Sequence, residues 1–479
     1  MTKGSLKSVA LKGMLWSAAD KFAGYAGQFI IGIVLARLLM PEDFGLIGML
    51  SIFIAISQSF IDSGMGSGLI QKINRSEADF STVFVFNFTV SVFFYIILYF
   101  SAPFIAAFYN MPQLVLLTRV VSINIVLNSL AIVQRSKLTI NIDFKTIAKV
   151  NLASVISGGI VGVCLAYIGF GYWSLVIQNL VGTIVSVVML WLISKWKPSI
   201  LFSKESFREL FGFGSKLLAA SLYSQIFNNI YNITIGKYYA AAELGYYTRT
   251  KMFAELTAGT VTSVLQQVTF PLLSSLKEDR IKMGIIFGKV VRMSAFFIIP
   301  SMTMLALLAD PFIRLVLTEK WLPVVSLLQW MCFARIFLPM SVVNMNILNA
   351  MGRSDLFLKV DLSKFPLAVL ALVITIPLGV KAMVIGHVIV SFLAYLINSY
   401  LPGKYFGYGP ISQLKDMLPV ILNTLVMALA VYISIFFIEI MWLKLIIGGI
   451  VGCVFYFAGA FILKMEELTE VMLLIKKIR

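Results

Sequence analysis

Hydrophobic runs long enough to cross a bilayer follow one another along the whole chain, with only short polar connections between them. Lipid offers no hydrogen-bond partner to a backbone amide, so such runs must close their own hydrogen bonds as helices or as a barrel of strands. A strand crosses in about 10 residues and a helix needs about 20; the runs here have the helical length. Fourteen helices are expected, at about 13–39, 44–70, 81–108, 112–135, 148–169, 172–194, 208–236, 246–273, 285–309, 321–349, 356–376, 380–400, 416–438 and 441–463. An all-α polytopic membrane protein is the fold class, and a composition of 59% hydrophobic and 13% charged residues agrees with it.

The first run follows Lys3, Lys7 and Lys12, as in a secretory signal, but it continues for about 27 residues and carries Asp20 and Lys21. It is read as a retained first helix. With the N-terminus taken as cytoplasmic, 26 of the 39 Lys and Arg fall on the inner side and six on the outer, the other seven lying within spans. This bias supports fourteen spans with both ends in the cytoplasm. It also explains most of the net charge of +17, so nucleic acid is not needed as a partner. The stretch from Gln134 to Lys149 reads as the longest inner connection of the first half: a solvated loop, or less readily a segment along the anionic leaflet. Cys164, Cys332 and Cys453 are far apart in apolar runs, which points to packing rather than to disulfides or a metal.

Residues Ala36 to Gly45, leaving the first helix, have a counterpart two hundred residues on, in Gly236 to Gly245, leaving the seventh. Arg37 and Lys237, Asp43 and Glu243, and Gly45 and Gly245 recur in register. Duplicated six-helix halves follow, in the same orientation and related by an axis along the membrane normal. The expected domains are an N-terminal lobe at 1–194, a cytoplasmic linker at 195–207, a second lobe at 208–400, and two added helices with a tail at 401–479. Substrate is expected between the two pseudo-symmetric lobes.

Seven basic side chains, Lys21, Arg119, Lys216, Arg249, Lys251, Arg335 and Lys364, interrupt the spans. At mid-bilayer each costs roughly 2.5–3.5 kcal/mol, so seven facing lipid would cost about 20 kcal/mol, and most must line protein or water. A cationic interior implies an anionic cargo. Polar residues at helical spacing mark candidate cavity walls: Ser17, Asp20, Gly24 and Gln28 on helix 1; Ser51, Gln58 and Asp62 on helix 2; Ser221, Gln225, Asn228 and Asn232 on helix 7; Arg249, Thr260, Ser263 and Gln267 on helix 8. The bland alternative is interhelical hydrogen bonding without a ligand. Asp20, Asp62, Glu255 and Asp361 are candidate ion-coupling sites. Charge balance is the favoured reading for three acids: Asp20 with Lys21, Glu255 with Lys251, and Asp361 with Lys364. Gly64 with Gly68, Gly158 with Gly162, and Gly448 with Gly452 read as helix-packing pairs. Gly212-Phe213-Gly214-Ser215-Lys216 is too short for a phosphate-binding loop, so ATP hydrolysis is not expected.

The fourteen-span layout, Ala36-Arg37-Leu38-Leu39-Met40-Pro41-Glu42-Asp43-Phe44-Gly45, Gln134-Arg135-Ser136-Lys137-Leu138 and Asn349-Ala350-Met351-Gly352-Arg353 together resemble the bacterial polysaccharide transporters. The likeness is to Wzx-type exporters of the colanic and teichuronic acid kind, in the superfamily that includes multidrug extruders and lipid II flippases. It implies a flippase carrying an undecaprenyl-pyrophosphate-linked oligosaccharide across the cytoplasmic membrane, by alternating access, for surface polysaccharide. It also implies a central cationic cavity, and a place beside glycan polymerase and other assembly proteins. Lipid II flippases pair an acid with a base in the first helix and use an arginine in the eighth; Asp20-Lys21 and Arg249 are the matching residues here, with lysine in place of the arginine fork.

No cofactor and no catalytic residue is expected, and membrane lipid is the surrounding partner. A multidrug extruder of the same superfamily is the nearest alternative, although its cationic cargo suits acids better than seven bases. A membrane glycan polymerase or ligase is a further one, against which the short outer loops argue.

Overall fold

A computed structural model describes residues 3–62, 64–199 and 201–478, with several side chains left out, those of Lys216 and Gln267 among them. Every regular element in the described residues is a helix. By internal contacts the chain forms two compact units, Met1–Gly245 and Tyr246–Arg479.

The first unit holds α1 (Lys3–Leu38), α2 (Pro41–Asp62), α3 (Met65–Gln71), α4 (Glu77–Tyr109), α5 (Leu114–Val121), α6 (Ile123–Ser129), α7 (Ile132–Ile140), α8 (Phe144–Ile168), α9 (Trp173–Ser194), α10 (Lys204–Tyr238) and the first turn of α11 (Ala241–Ser275). The predicted second span breaks into α2 and α3 at Gly64, whose φ of 70° is left-handed. Gly64 is therefore a turn residue, and it also permits close approach to α10, where a Cβ would stand 2.8 Å from the Gly214 Cα. The fourth breaks into α5, α6 and α7. The expected loop at Gln134–Lys149 is helical on both sides of a three-residue turn at 141–143, so the solvated-loop reading does not hold there. Gln134 is fully buried. Capping fixes the flanking starts: Ser76 and Asp79 form a reciprocal box ahead of α4, and Asp143 accepts from the Thr146 amide ahead of α8.

Within this unit α8 packs on α1 and α9, while α2 packs on α10 and α4. Close approach of α8 to α9 depends on Gly158, where a Cβ would stand 2.6 Å from the Gln178 carbonyl oxygen. The connection before α10 is held against α4. There Ser199 and Ser81 share a hydrogen bond of 2.8 Å, the Trp196 indole donates to Glu77 at 2.7 Å, and the Ser203 amide donates to Thr82 at 3.0 Å.

After α11 the second unit adds α12 (Arg280–Leu307), α13 (Ala309–Val316), α14 (Pro323–Ile336), α15 (Leu338–Ala350), α16 (Ser354–Ser363), α17 (Phe365–Thr375), α18 (Val380–Phe406), α19 (Pro410–Phe436), α20 (Met441–Ile462) and α21 (Glu466–Ile478). The breaks before α15 and α17 fall just ahead of Pro339 and Pro366, as expected when a proline lacks an amide donor and crowds the turn before it. α12 packs against α14, α15 and α19. A buried network ties α15, α18 and α19: Asn344 and Gln413 exchange hydrogen bonds of 3.0 and 2.8 Å, and Tyr395 donates to Gln413 at 2.9 Å.

Among the described residues, eleven helices or helix runs are long and apolar enough to cross a membrane. The three expected spans outside that set are α10, α11 and the α16–α17 pair. Between them these carry Lys216, Arg249, Lys251, Glu255, Asp361 and Lys364. Large apolar side chains such as Phe100, Phe104 and Ile160 face outward along the spans. The chain is a multi-pass membrane protein. Cys332 is buried, whereas Cys164 and Cys453 lie on this outward surface, against the packing role expected of all three.

Candidate functional site

The first unit holds a half-open cavity of about 610 Å³ walled by α2, α6, α9 and α10, with Val121 from the end of α5. Ser51, Gln58, Ser59 and Asp62 enter it from α2, Asn124 and Asn128 from α6, Asn179 and Thr183 from α9, and Ser221 and Gln225 from α10. A second cavity of about 450 Å³ shares Gln58, Asp62 and Asn128 with the first and adds Arg135 and Ser136 from α7. The helical periodicity of α2 accounts for its contribution, since residues three and four apart stack on one face. Gln58 donates to Asp62 at 3.1 Å, and the Ser59 and Ser221 hydroxyls share a bond of 2.9 Å. Asn232, buried two turns beyond Gln225 on α10, donates to Ser51 and Asn229 at 3.2 Å each.

Beside this cavity runs a polar relay. Arg135 donates to Asn151 at 3.2 Å, and the Asn151 amide donates to both Asp20 oxygens at 3.1 Å. Asp20 thus draws its hydrogen bonds from α8 rather than from Lys21, which is exposed, as is Gln28. Arg119 lies over the Tyr99 ring, 4.3 Å from its centroid, and donates to the Tyr99 carbonyl at 3.4 Å. Neither Lys21 nor Arg119 is among the residues lining either cavity.

In the second unit, Arg335 on α14 pairs with Glu255 on α11 at 2.8 Å, and Lys251 stands 4.0 Å from the same carboxylate. Two bases therefore share one acid. Arg249, one turn before Met252, is buried and donates to its sulfur at 3.0 Å. Lys364 and Asp361 pair at 2.6 Å, so two of the three expected charge-balancing pairs are present. The two-hundred-residue register, carried along α2 and α11, puts Lys251 and Glu255 at the helix positions held by cavity-lining Ser51 and Ala55.

Of the predicted wall residues, Ser51, Gln58, Asp62, Ser221 and Gln225 come together at the first-unit cavity. The α10 stripe divides: Asn232 turns inward, and Asn228 is exposed and donates to Ser224 at 3.1 Å. Ser263 returns its hydroxyl to the Thr260 carbonyl at 2.9 Å. The side chains of Lys216 and Gln267 lie outside the described residues. Sequence reasoning missed Asn124, Asn128, Asn179, Thr183 and Arg135. The first two are one helical turn apart, a spacing that was visible but unread.

A family model described as polysaccharide biosynthesis protein matches residues 34–326, more than half of the chain. The chain belongs to that family. Teichuronic acid biosynthesis protein TuaB of Bacillus subtilis is 27% identical over 355 residues, 72% of each chain. Lipopolysaccharide biosynthesis protein WzxC of Escherichia coli is 23% identical over 414 residues, 84% of this chain and 81% of that one. The fold is shared with a lipid II flippase, MurJ, in an inward closed conformation. The TM-score is 0.75 at 18% identity, covering 94% of this chain and 98% of the other.

Proposed function

We propose that this protein is a flippase for a lipid-linked oligosaccharide, moving an undecaprenyl-pyrophosphate-linked repeat unit from the inner to the outer leaflet of the cytoplasmic membrane for surface polysaccharide assembly. Both termini lie in the cytoplasm, and glycan polymerase and related assembly proteins work downstream of it. It is a carrier and not an enzyme.

The observation that carries this reading is the sharing of Glu255 by Arg335 and Lys251 within helices of a membrane protein. The cluster keeps an excess of positive charge where charge is costly, and anionic cargo is what such an excess serves. A diphosphate would trade its hydration for charge-assisted hydrogen bonds from guanidinium and ammonium groups, while the prenyl tail stays in lipid. A site that bound the diphosphate equally in both orientations would give no net direction, so release requires a difference in affinity between the two states. Membership of a polysaccharide biosynthesis family supports a glycan cargo.

The test is lipid-carrier analysis of a deletion strain. Lipid-linked repeat units stalled on the inner leaflet are expected; units stalled on the outer leaflet would assign the protein to polymerisation or ligation instead. Arg249→Ala or Arg335→Ala should abolish surface glycan with the protein still in the membrane. Unchanged export in both variants would remove the role given to the charges.

A further inference from the structure

The cavity of the first unit is chemically unlike the charged cluster of the second. Its polar wall is made of amides and hydroxyls, which both donate and accept and so match sugar hydroxyls in either sense. Five aliphatic residues, Ile47, Ile54, Ala55, Val121 and Val176, complete the wall and offer contact to sugar C–H faces. The volume of about 610 Å³ falls within the span of about 300–1,000 Å³ usual for small-molecule sites. The one charged side chain among its lining residues is the Asp62 carboxylate. Arg135 lines only the adjoining cavity, where it donates to Asn151. Asn124 lines the wall as well, but its side-chain oxygen is sealed from the cavity, so its NH2 group is the part that can meet a ligand.

We propose that the first unit carries a saccharide subsite, between α2, α6, α9 and α10, that takes neutral, hydroxyl-rich sugar residues and turns away uronates and phosphates. A neutral sugar can donate a hydroxyl to Asp62 and accept from the amides of Gln58, Asn124 and Asn128. A uronate or a diphosphate in the same place would meet a carboxylate with no cation in the wall. The proposal rests on the lipid-linked glycan reading and adds to it that sugar recognition belongs to the first unit's own cavity.

Saturation-transfer NMR on the purified full-length protein in lipid nanodiscs tests this, with lactose, glucuronate and inorganic pyrophosphate as separate probes. Lactose should show transfer that falls at least fivefold in Asn124→Ala and in Asn128→Ala, and glucuronate should show transfer only in Asp62→Asn. Asn128 is exposed in the cavity, so its variant keeps the test sound should Asn124→Ala fail to fold. Absence of lactose transfer, lactose transfer unchanged in Asn128→Ala, or glucuronate or pyrophosphate transfer in the native protein that depends on Asn128 would each overturn the subsite. A deletion strain that stalls lipid-linked units on the inner leaflet while lactose ignores Asn128 overturns the subsite alone. A strain without such stalling overturns the flippase reading whatever lactose does.

Discussion

Gly45 packs on the carbonyl of Ala241, the first residue of α11, and two hundred residues away in sequence Gly245 packs on the carbonyl of Pro41, the first residue of α2. The contact is reciprocal: a Cβ added to either glycine would overlap the other helix's carbonyl oxygen. The repeated segment that marks the two helix exits in the sequence is thus a self-complementary junction within the first unit. It sets the crossing of the opening turns of α2 and α11.

Gly45→Ala and Gly245→Ala should each lower stability by about 1–3 kcal/mol, the usual result of forcing a methyl into packed atoms that are backbone and cannot turn aside. Gly24→Ala and Gly259→Ala, where no heavy atom lies within 4 Å of the new Cβ, should be neutral or stabilising. Thermal melting of the four purified variants checks this; equal melting temperatures would count against the junction.

Lys72 bridges Asp79 at 3.0 Å and Glu209 at 2.8 Å, joining the starts of α4 and α10. The hydrogen bond that Lys72 donates to Glu209, assisted by Asp79, holds its ammonium above its ordinary pKa. A raised folded value means that the contribution is complete below the ordinary lysine value and is lost as pH climbs through the raised one. Lys72→Met should therefore cost about 1–3 kcal/mol. The melting difference from wild type should hold constant from about pH 7 to 9 and shrink only in strong alkali, as pH-resolved melting curves would reveal.

Gln413 serves Asn344, Tyr395 and the Tyr408 carbonyl at once, in a fully buried position. Gln413→Leu should cost about 1–3 kcal/mol for the groups it leaves unpaired. In a double-mutant cycle Asn344→Ala and Gln413→Ala should couple by about 0.5–3 kcal/mol, because they touch. Additive losses in denaturant titrations would argue that the network is slack.

Lys364 and Asp361 form a partly buried pair at 2.6 Å. Lys364→Met alone should destabilise by about 1–3 kcal/mol, and adding Asp361→Asn should restore part of the loss, since the acid is then no longer left with an unmatched charge. Scanning calorimetry of the two variants beside wild type decides it; a double variant no better than the single would show that the pair does not act as a unit.

Asn124 and Asn128 show where sequence reading ran short. Their i,i+4 spacing was present in the expected fourth span, but that span is cut into α5, α6 and α7, and the cuts at Ser122 and at Leu130–Ala131 carry no proline or glycine to announce them. Arg135 was assigned to a loop by its basic neighbours, a topological signal that says nothing of local helicity. Gln58, Asp62 and Gln225 were legible because α2 and α10 are unbroken through those residues, so periodicity maps directly onto a face.

The sequence by itself determined the solvent and the element type: repeated apolar runs must be helices, because lipid leaves a backbone amide no other partner. It also marked the two junction segments, since helix exits that pack on each other need glycine at one fixed register. Tertiary structure alone decided which charges meet. Lys251 and Arg335 converge on Glu255 across eighty residues, and Asp20 turns from Lys21 to Asn151. Charge pairing depends on distances of a few ångströms between helices, and the order of residues along one chain does not contain those distances.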